Sequence, residues 1–247
     1  MVLAAGRGER MRPLTDTCPK PLLPVRGKPL MQWSIEALAR AGVRDILVNT
    51  AWLGDRIEAY CNEPSTPWAP DAAAPHPKGA HQAPARLVFS HEGRDFGAAL
   101  ETAGGIVRAL PQLADPFWLL AGDVFAPDFV FADTQRQAFV ASNALAHIWL
   151  VPNPAHNPNG DFALSDDGLA RNDGPTRLTY STIGLFRHAL FAPPFCPIAQ
   201  GNPQGIRAAL APLLRQAAQQ HRLTAQRYTG TWVDVGTPER LAQLQHP

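Results

Sequence analysis

Apolar positions along the chain recur with two periods, and the places where one gives way to the other mark out its elements. Between residues 29 and 41 the side chains of Leu30, Trp33, Ala37, Leu38 and Ala41 fall on one face of a helix. Pro29 suits the first turn of that helix and Gly42 the position just past its end. Short apolar runs predict strands at 2–4, 43–50, 86–90, 117–121 and 144–151, with helices at 55–61 and 100–110. Beyond Pro152 strands become denser, at 161–165 and 178–186. A helix at 206–219, a strand–turn–strand around 228–235 and a last helix from Pro238 follow. Alternation of this kind predicts an α/β fold with a mostly parallel central sheet and helices on both faces. In such sheets ligands bind beyond the carboxyl ends of the strands.

Composition narrows the class. A chain of 247 residues can bury a full core without disulfides or metal, and 1–247 is expected to form a single domain. With 45% hydrophobic and 17% charged residues it is neither disordered nor a coiled coil. Its 22 Lys and Arg against 21 Asp and Glu leave a formal charge of +1, which offers no electrostatic footprint for nucleic acid or an anionic membrane. Cys18, Cys61 and Cys196 stand in no metal-ligand spacing, so reduced thiols are expected. No apolar run reaches the length of a membrane span, and too few uncharged residues precede Arg7 for a secretory signal. The expectation is a cytoplasmic protein. Proline is the anomaly: its 25 residues are about twice the usual share and are dense between 63 and 85. Because proline fixes φ and removes a backbone donor, 63–85 is expected to be an exposed insertion without regular structure.

The strongest chemical signal lies at the start. Leu3-Ala4-Ala5-Gly6-Arg7-Gly8-Glu9-Arg10-Met11-Arg12-Pro13, with Pro19-Lys20-Pro21 soon after, reads as a strand opening into Gly-x-Gly. Such a turn lets backbone N–H groups close around phosphate oxygens, and Arg7, Arg10, Arg12 and Lys20 supply cations around it. Neither common phosphate-loop pattern fits, since Gly-x-x-x-x-Gly-Lys-Ser/Thr is absent and Met11 replaces the third glycine of Gly-x-Gly-x-x-Gly. Alone, the turn is also compatible with an ordinary glycine corner flanked by surface arginines, and Lys20 with a surface lysine. Asp123 follows the apolar strand 117–121, at the strand end where α/β sheets place their sites. One or two aspartates suffice for a hard cation such as Mg²⁺, which prefers carboxylate and phosphate oxygens and keeps several waters. An aspartate so placed also serves as a helix cap or turn residue.

Taken whole, LAAGRGERMRPLT followed by PKPLLPV resembles the opening of the sugar-phosphate nucleotidyltransferases, and the resemblance extends over nearly the whole chain. Three further stretches are similar to those of family members that uridylylate N-acetylmuramate α-1-phosphate in peptidoglycan recycling. They are Asn49-Thr50-Ala51-Trp52-Leu53-Gly54, Glu101-Thr102-Ala103-Gly104-Gly105-Ile106 and Gly230-Thr231-Trp232-Val233-Asp234-Val235-Gly236-Thr237. The resemblance implies a three-layer, Rossmann-like domain with a smaller β-rich sugar-binding part. It also implies a reaction, in which a sugar 1-phosphate oxygen attacks the α-phosphorus of UTP and pyrophosphate leaves. The partners would be UTP and a sugar 1-phosphate, the cofactor Mg²⁺, and the chain a monomer.

Roles for single residues follow from the same resemblance. Ala4, Ala5, Gly6, Arg7, Gly8, Glu9, Arg10 and Met11 would hold the nucleotide, with Arg12 on the departing pyrophosphate and Lys20 on the α-phosphate. Asp123 and Asp234 would hold the metal, although the chain has Ala121-Gly122-Asp123 where relatives usually carry Asn-Gly-Asp. Glu92, Glu101, Thr102 and Gly104 would read the base. A carboxylate at Glu92 accepts the uracil N3–H but cannot donate to O4, so a backbone N–H must do that. Cytosine lacks the N3 proton and would be rejected. A solvated loop glutamate, in a segment lengthened by 94–98, is the other reading of Glu92. Asn153, Gly160, Asp161, Tyr180, Ile183 and Gly184 would line the sugar pocket. Many relatives carry a Glu-Lys pair where this chain has Asn172-Asp173, so Arg171 is either the counter-charge for the acceptor phosphate or a surface arginine. None of the eight histidines takes a role.

The near alternatives are mannose 1-phosphate with GTP and glucose 1-phosphate with dTTP. A non-catalytic nucleotide-sugar sensor is a further one, against which Arg12, Lys20, Asp123 and Asp234 all speak. The first strand begins at the first residue, where relatives have several before it, so either the start is assigned too late or the strand is simply short. The chain stops soon after its last helix, so a stand-alone transferase without a β-helix acyltransferase domain is expected.

Overall fold

Residues 1–68 and 85–245 are described by the structure, a computed structural model. In chain order the helices are α1 (Leu14–Thr17), α2 (Leu30–Arg40), α3 (Gly54–Cys61), α4 (Glu92–Phe96), α5 (Glu101–Ala109), α6 (Asp133–Ala141), α7 (Ala211–Gln219) and α8 (Pro238–Gln243). The strands are β1 (Val2–Leu3), β2 (Pro24–Val25), β3 (Lys28–Pro29), β4 (Asp45–Thr50), β5 (Arg86–His91), β6 (Phe117–Ala121) and β7 (Val124–Phe125). After them come β8 (Ala146–Val151), β9 (Phe162–Leu164), β10 (Ala170–Arg171), β11 (Arg177–Phe186), β12 (Leu223–Arg227) and β13 (Val233–Asp234). They fall into two compact units: an amino-terminal unit of 2–99, 122–131 and 233–247, and a central unit of Met1, 100–121 and 132–232.

In the amino-terminal unit β1, β4 and β5 run parallel, with Leu3 opposite Asn49 and Asn49 opposite Ser90. Parallel pairing puts the carboxyl ends of all three strands on one edge. Ala4, Ala51 and Glu92 therefore leave the sheet side by side although they are far apart in sequence. β4 is buried from Ile46 to Thr50, as a strand covered on both faces must be. Helix α2 buries Leu30, Met31, Ile35 and Leu38. Leu30 joins a core with Met11, Leu23, Val25, Phe125, Val235, Leu241 and Leu244, where Trp33 meets Phe125 edge-on at 5.1 Å between centroids. Burying a side chain such as Met11 contributes about 1.5–3 kcal/mol, which ties the end of the first loop to the body. The short strands β7 and β13 pair antiparallel, with Asp234 opposite Val124.

The segment 63–85 is exposed at 63–65 and at Pro67, but not throughout. Thr66 and Trp68 are buried, the Trp68 indole N–H donates to Cys61 O at 2.8 Å, and the ring meets Tyr60 edge-on. A large aromatic ring has enough apolar area to fold a proline-rich segment back onto α3. The part from 69 to 84 lies outside the described residues.

The central unit is organised by β11, which runs antiparallel to β6, β8 and β9 while β12 runs parallel to β8. Its sheet is thus mixed. Register on β8 slips between Tyr180 and Gly184, and Thr182 in that bulge sits at φ 63. A β-branched residue in the left-handed region is strained.

Two predicted elements differ. The helix expected at 206–219 begins only at Ala211. Residues 206–208 lie instead on the first turn of α5, where the N–H groups of Ala103 and Gly104 donate to Ala208 O at 2.8 and 3.1 Å and Ala208 N–H donates to Leu100 O at 3.1 Å. First-turn N–H groups have no partner inside their own helix, so a passing carbonyl competes with one more turn of α7. The strand–turn–strand around 228–235 is no hairpin. β12 pairs with β8, whereas β13 pairs with β7 in the amino-terminal unit.

Candidate nucleotide and metal site

β1 opens at Ala4 into a loop that closes with a 3₁₀ turn, Glu9–Met11. Gly8 sits at φ 66, and a Cβ there would come within 3.0 Å of Thr15 Cγ2, so angle and space both demand glycine. Thr15 Oγ1 donates to Gly8 O at 2.8 Å, and Met11 N–H to the same oxygen at 2.9 Å. A Cβ on Gly6 would meet nothing within 4 Å. Packing does not demand that glycine, and the space beside its backbone suits the close approach of a phosphate.

The loop's side chains divide by what they touch. Glu9, Arg10 and Arg12 are exposed. Arg12 Nε donates to Asp16 Oδ1 at 2.7 Å, an exposed pair that contributes little and that a phosphate can displace. Arg7 instead lies 3.4 Å from the centre of the Trp52 ring and donates to Thr15 O at 3.0 Å, so it braces the loop. Met11 was expected among the nucleotide contacts, but its side chain is wholly buried in the core and anchors the loop. Ala4 and Ala5 are buried as well, and the Ala4 N–H is taken by Asn49 Oδ1 at 2.9 Å rather than left for a base edge.

Lys20 begins a second 3₁₀ turn, Lys20–Leu22, and is only 9% exposed. Its ammonium contacts the Asp123 carboxylate. Gly122 N–H donates to Leu3 O at 2.8 Å, which sets Asp123 beside the start of the first loop. Val235 N–H donates to Asp123 O at 3.0 Å, so Asp123 and Asp234 come from adjacent backbone. Arg240 Nη1 donates to Asp234 Oδ1 at 2.6 Å and to its carbonyl at 2.9 Å. Gly236 makes room for this, since a Cβ there would stand 3.0 Å from Arg240 Nη1. Each carboxylate is thus matched by a cation of its own. Among the described residues no group of three or more His, Cys, Asp or Glu could hold a metal. Mg²⁺ needs no such cage, because one or two carboxylates plus substrate phosphates complete its shell, and Asp123 with Asp234 fits that donor set.

Glu92 is no solvated loop residue. It opens α4, is fully buried, and accepts from Asn49 Nδ2 at 2.6 Å. Gly93 follows it because a Cβ there would lie 2.6 Å from Ala51 O, so α4 packs against the turn after β4. Residues 94–96 belong to that helix, which ends at Gly97 with φ 76.

The remaining predicted residues stand in the central unit. Glu101 has φ 58 and faces Arg207 at 3.6 Å, and Thr102 is half-buried beside it. Packing demands glycine at Gly104, since a Cβ on it would come 2.4 Å from Ile206 O. Asn153 Nδ2 donates to Pro158 O and Arg177 O at 3.1 and 3.0 Å, while its Oδ1 accepts from Thr179 at 2.9 Å. Gly160 has φ 61 with Arg177 backbone 2.7 Å from a would-be Cβ, and Asp161 Oδ2 accepts from Tyr180 N–H at 2.8 Å. Ile183 is buried, and Gly184 packs against His147 O and the Phe186 ring, so neither presents a side chain. The Tyr180 hydroxyl is buried with no hydrogen-bond partner among the described residues, and burial pushes its pKa up. Arg171 pairs with Asp167 at 3.5 Å.

The MobA-like NTP transferase domain family matches residues 1–229. The chain belongs to that family. It is 42% identical to the N-acetylmuramate α-1-phosphate uridylyltransferase of Neisseria meningitidis serogroup B, over 99% of this chain and 96% of that protein. It is 31% identical to the protein of the same name from Caulobacter vibrioides, over 97% of this chain and 92% of that protein. Among solved structures, apo-UDP-glucose pyrophosphorylase matches with a TM-score of 0.68 at 17% identity, over 99% of this chain and 96% of that one. That likeness establishes the fold, the Rossmann-like α/β fold with a mixed central sheet.

For this MobA-like chain, three side chains at the site took no role from sequence: Asn49 and Trp52, which lie in a stretch that carried the resemblance, and Arg240. A polar Asn ending an apolar strand is a usable signal, because a buried amide needs partners. Arg240 gave none, being one surface-type arginine in a short helix.

Proposed function

We propose that the chain transfers a uridylyl group from UTP to N-acetylmuramate α-1-phosphate, giving UDP-N-acetylmuramate and pyrophosphate, with Mg²⁺ as cofactor. One observation carries the reading: the first loop, Lys20, Asp123 and Asp234 gather in one compact unit of a chain whose full-length relatives bear that name. An oxygen of the sugar phosphate attacks the α-phosphorus. A new P–O bond forms there while the bond to the bridging oxygen of the β-phosphate breaks, and pyrophosphate leaves with that oxygen. The protein's task is alignment and charge.

Backbone N–H groups around Gly6 and Gly8 face the triphosphate. Arg12 exchanges Asp16 for the departing pyrophosphate. Lys20 exchanges Asp123 for the α-phosphate, and Asp123 and Asp234 are the residues that would hold Mg²⁺. Mg²⁺, when bound, offsets the negative charge of the phosphates. On the acceptor side Asn153, Gly160, Asp161 and Tyr180 shape the loop and strand, with Arg171 as counter-charge once it gives up Asp167. No helix among the described residues is long and apolar enough to cross a membrane. A cytoplasmic monomer, working where UTP is made, completes the reading.

A panel of triphosphates and sugar 1-phosphates, assayed for pyrophosphate release with and without EDTA, tests it. UTP with N-acetylmuramate α-1-phosphate should turn over fastest, and EDTA should abolish the reaction. Faster release from GTP with mannose 1-phosphate, or from dTTP with glucose 1-phosphate, would overturn the substrate assignment. Tight UTP binding with no release from any pair would make the chain a sensor.

A further inference from the structure

We propose that Asn49, near the end of β4, and Trp52, on the turn from β4 into α3, are positioning residues that grip the triphosphate loop at both ends and set its shape before the nucleotide arrives. This rests on reading the first loop as a triphosphate cradle and says what builds it.

Asn49 is 3% exposed and lies opposite Leu3 in the parallel pair. Its amide has one workable orientation. Oδ1 accepts from Ala4 N–H at 2.9 Å and Nδ2 donates to Glu92 Oε1 at 2.6 Å. Flipped, the amide would set donor against donor and carbonyl against carboxylate. Glu92 therefore orients Asn49, and Asn49 fixes the first residue of the loop.

Three residues on, Trp52 fixes the far end. Its indole N–H donates to Thr15 O at 2.8 Å, and its ring carries the Arg7 guanidinium, which donates to the same Thr15 O at 3.0 Å. Thr15 Oγ1 in turn holds Gly8 O at 2.8 Å. The gripping turn is itself rigid. Leu53 sits at φ 48, and α3 opens at Gly54, where a Cβ would stand only 3.0 Å from the Thr50 side chain. Between the two grips runs the backbone of Ala5 to Gly8, the stretch that would face phosphate oxygens. Asn49 and Trp52 are committed to protein groups, so they act through the loop. Preorganisation of this sort removes an ordering cost from binding.

The test compares wild type with Trp52→Phe and Trp52→Ala. Phe keeps a ring beneath Arg7 and drops the bond to Thr15, while Ala drops both. UTP affinity is measured by calorimetry, KM for each substrate by pyrophosphate release, and folding by thermal unfolding. The lost hydrogen bond should weaken UTP about fivefold in Trp52→Phe. The lost ring contact should add about another fivefold in Trp52→Ala. The acceptor KM should hold in both, and thermal unfolding should stay cooperative. UTP affinity unchanged in both variants, or the two substrates' KM rising together, would overturn the proposal. Asn49→Ala is the second arm: if it folds, it should weaken UTP by at least as much as Trp52→Ala, and UTP binding at wild-type strength would overturn the Asn49 grip. If wild-type protein prefers another triphosphate, the substrate reading fails but the same variants measured with that triphosphate still decide this one.

Discussion

Two loops in this molecule each turn on a left-handed glycine and are built in opposite ways. The loop after β1 and the loop from Asn153 to Asp161 both carry a glycine in the left-handed region, Gly8 and Gly160, amid polar side chains. The second is held by its own members: Asn153, Asn157 and Asp161 all direct their side chains to neighbouring backbone or to Thr179. The first is held largely from outside, by Asn49, Trp52 and the core around Met11. Its own Arg10 and Arg12 stay exposed. Where bracing is supplied by other elements, a loop's polar groups remain available for a ligand; where the loop braces itself, they are consumed.

The sharpest break of this contrast comes at Asp123. Asp123→Asn should lower turnover by about 10²–10³ with the fold retained, read by pyrophosphate release and circular dichroism. Unchanged turnover would remove Asp123 from the metal site beside the externally braced loop. Next is Gly160→Ala, whose Cβ would meet Arg177 backbone at 2.7 Å in a left-handed conformation. It should cost about 2–4 kcal/mol by denaturant unfolding. An acceptor KM that rose with no loss of stability would show a binding loop rather than a self-bracing one. Gly8→Ala meets a methyl group at 3.0 Å and should cost about 1–2 kcal/mol while raising the UTP KM. The smallest change is Asn153→Ala, which frees exposed bonds. It should cost about 1 kcal/mol and raise the acceptor KM with the UTP KM unmoved.

Much of this was legible in the chain itself. The glycine turn, Lys20 between prolines and Asp123 at a strand end all announced a site, and the alternation of periods announced the sheet. What stayed hidden depends on long-range pairing. β13 is two residues long and meets β7 across more than a hundred positions, a pairing too short to leave a pattern. Met11 reads as a loop residue until Val235, Leu241 and Leu244 close over it. Glu92 stays open in the sequence between a base-reading carboxylate and a solvated one, because nothing in its neighbours says that Asn49 is waiting. The helix at 206–210 failed for a related reason: α5 takes the Ala208 carbonyl for its own first turn, and local propensity cannot foresee a claim from another element.

The burial of Met11 has a consequence for the newly made chain. Synthesis runs from the amino end, so the glycine turn leaves the ribosome long before Val235, Leu241 and Leu244. Until they do, the methionine that anchors the turn has an unfinished pocket. The amino-terminal unit, which draws on 233–247 as well as 2–99, can therefore complete this core only after Leu244 has been translated.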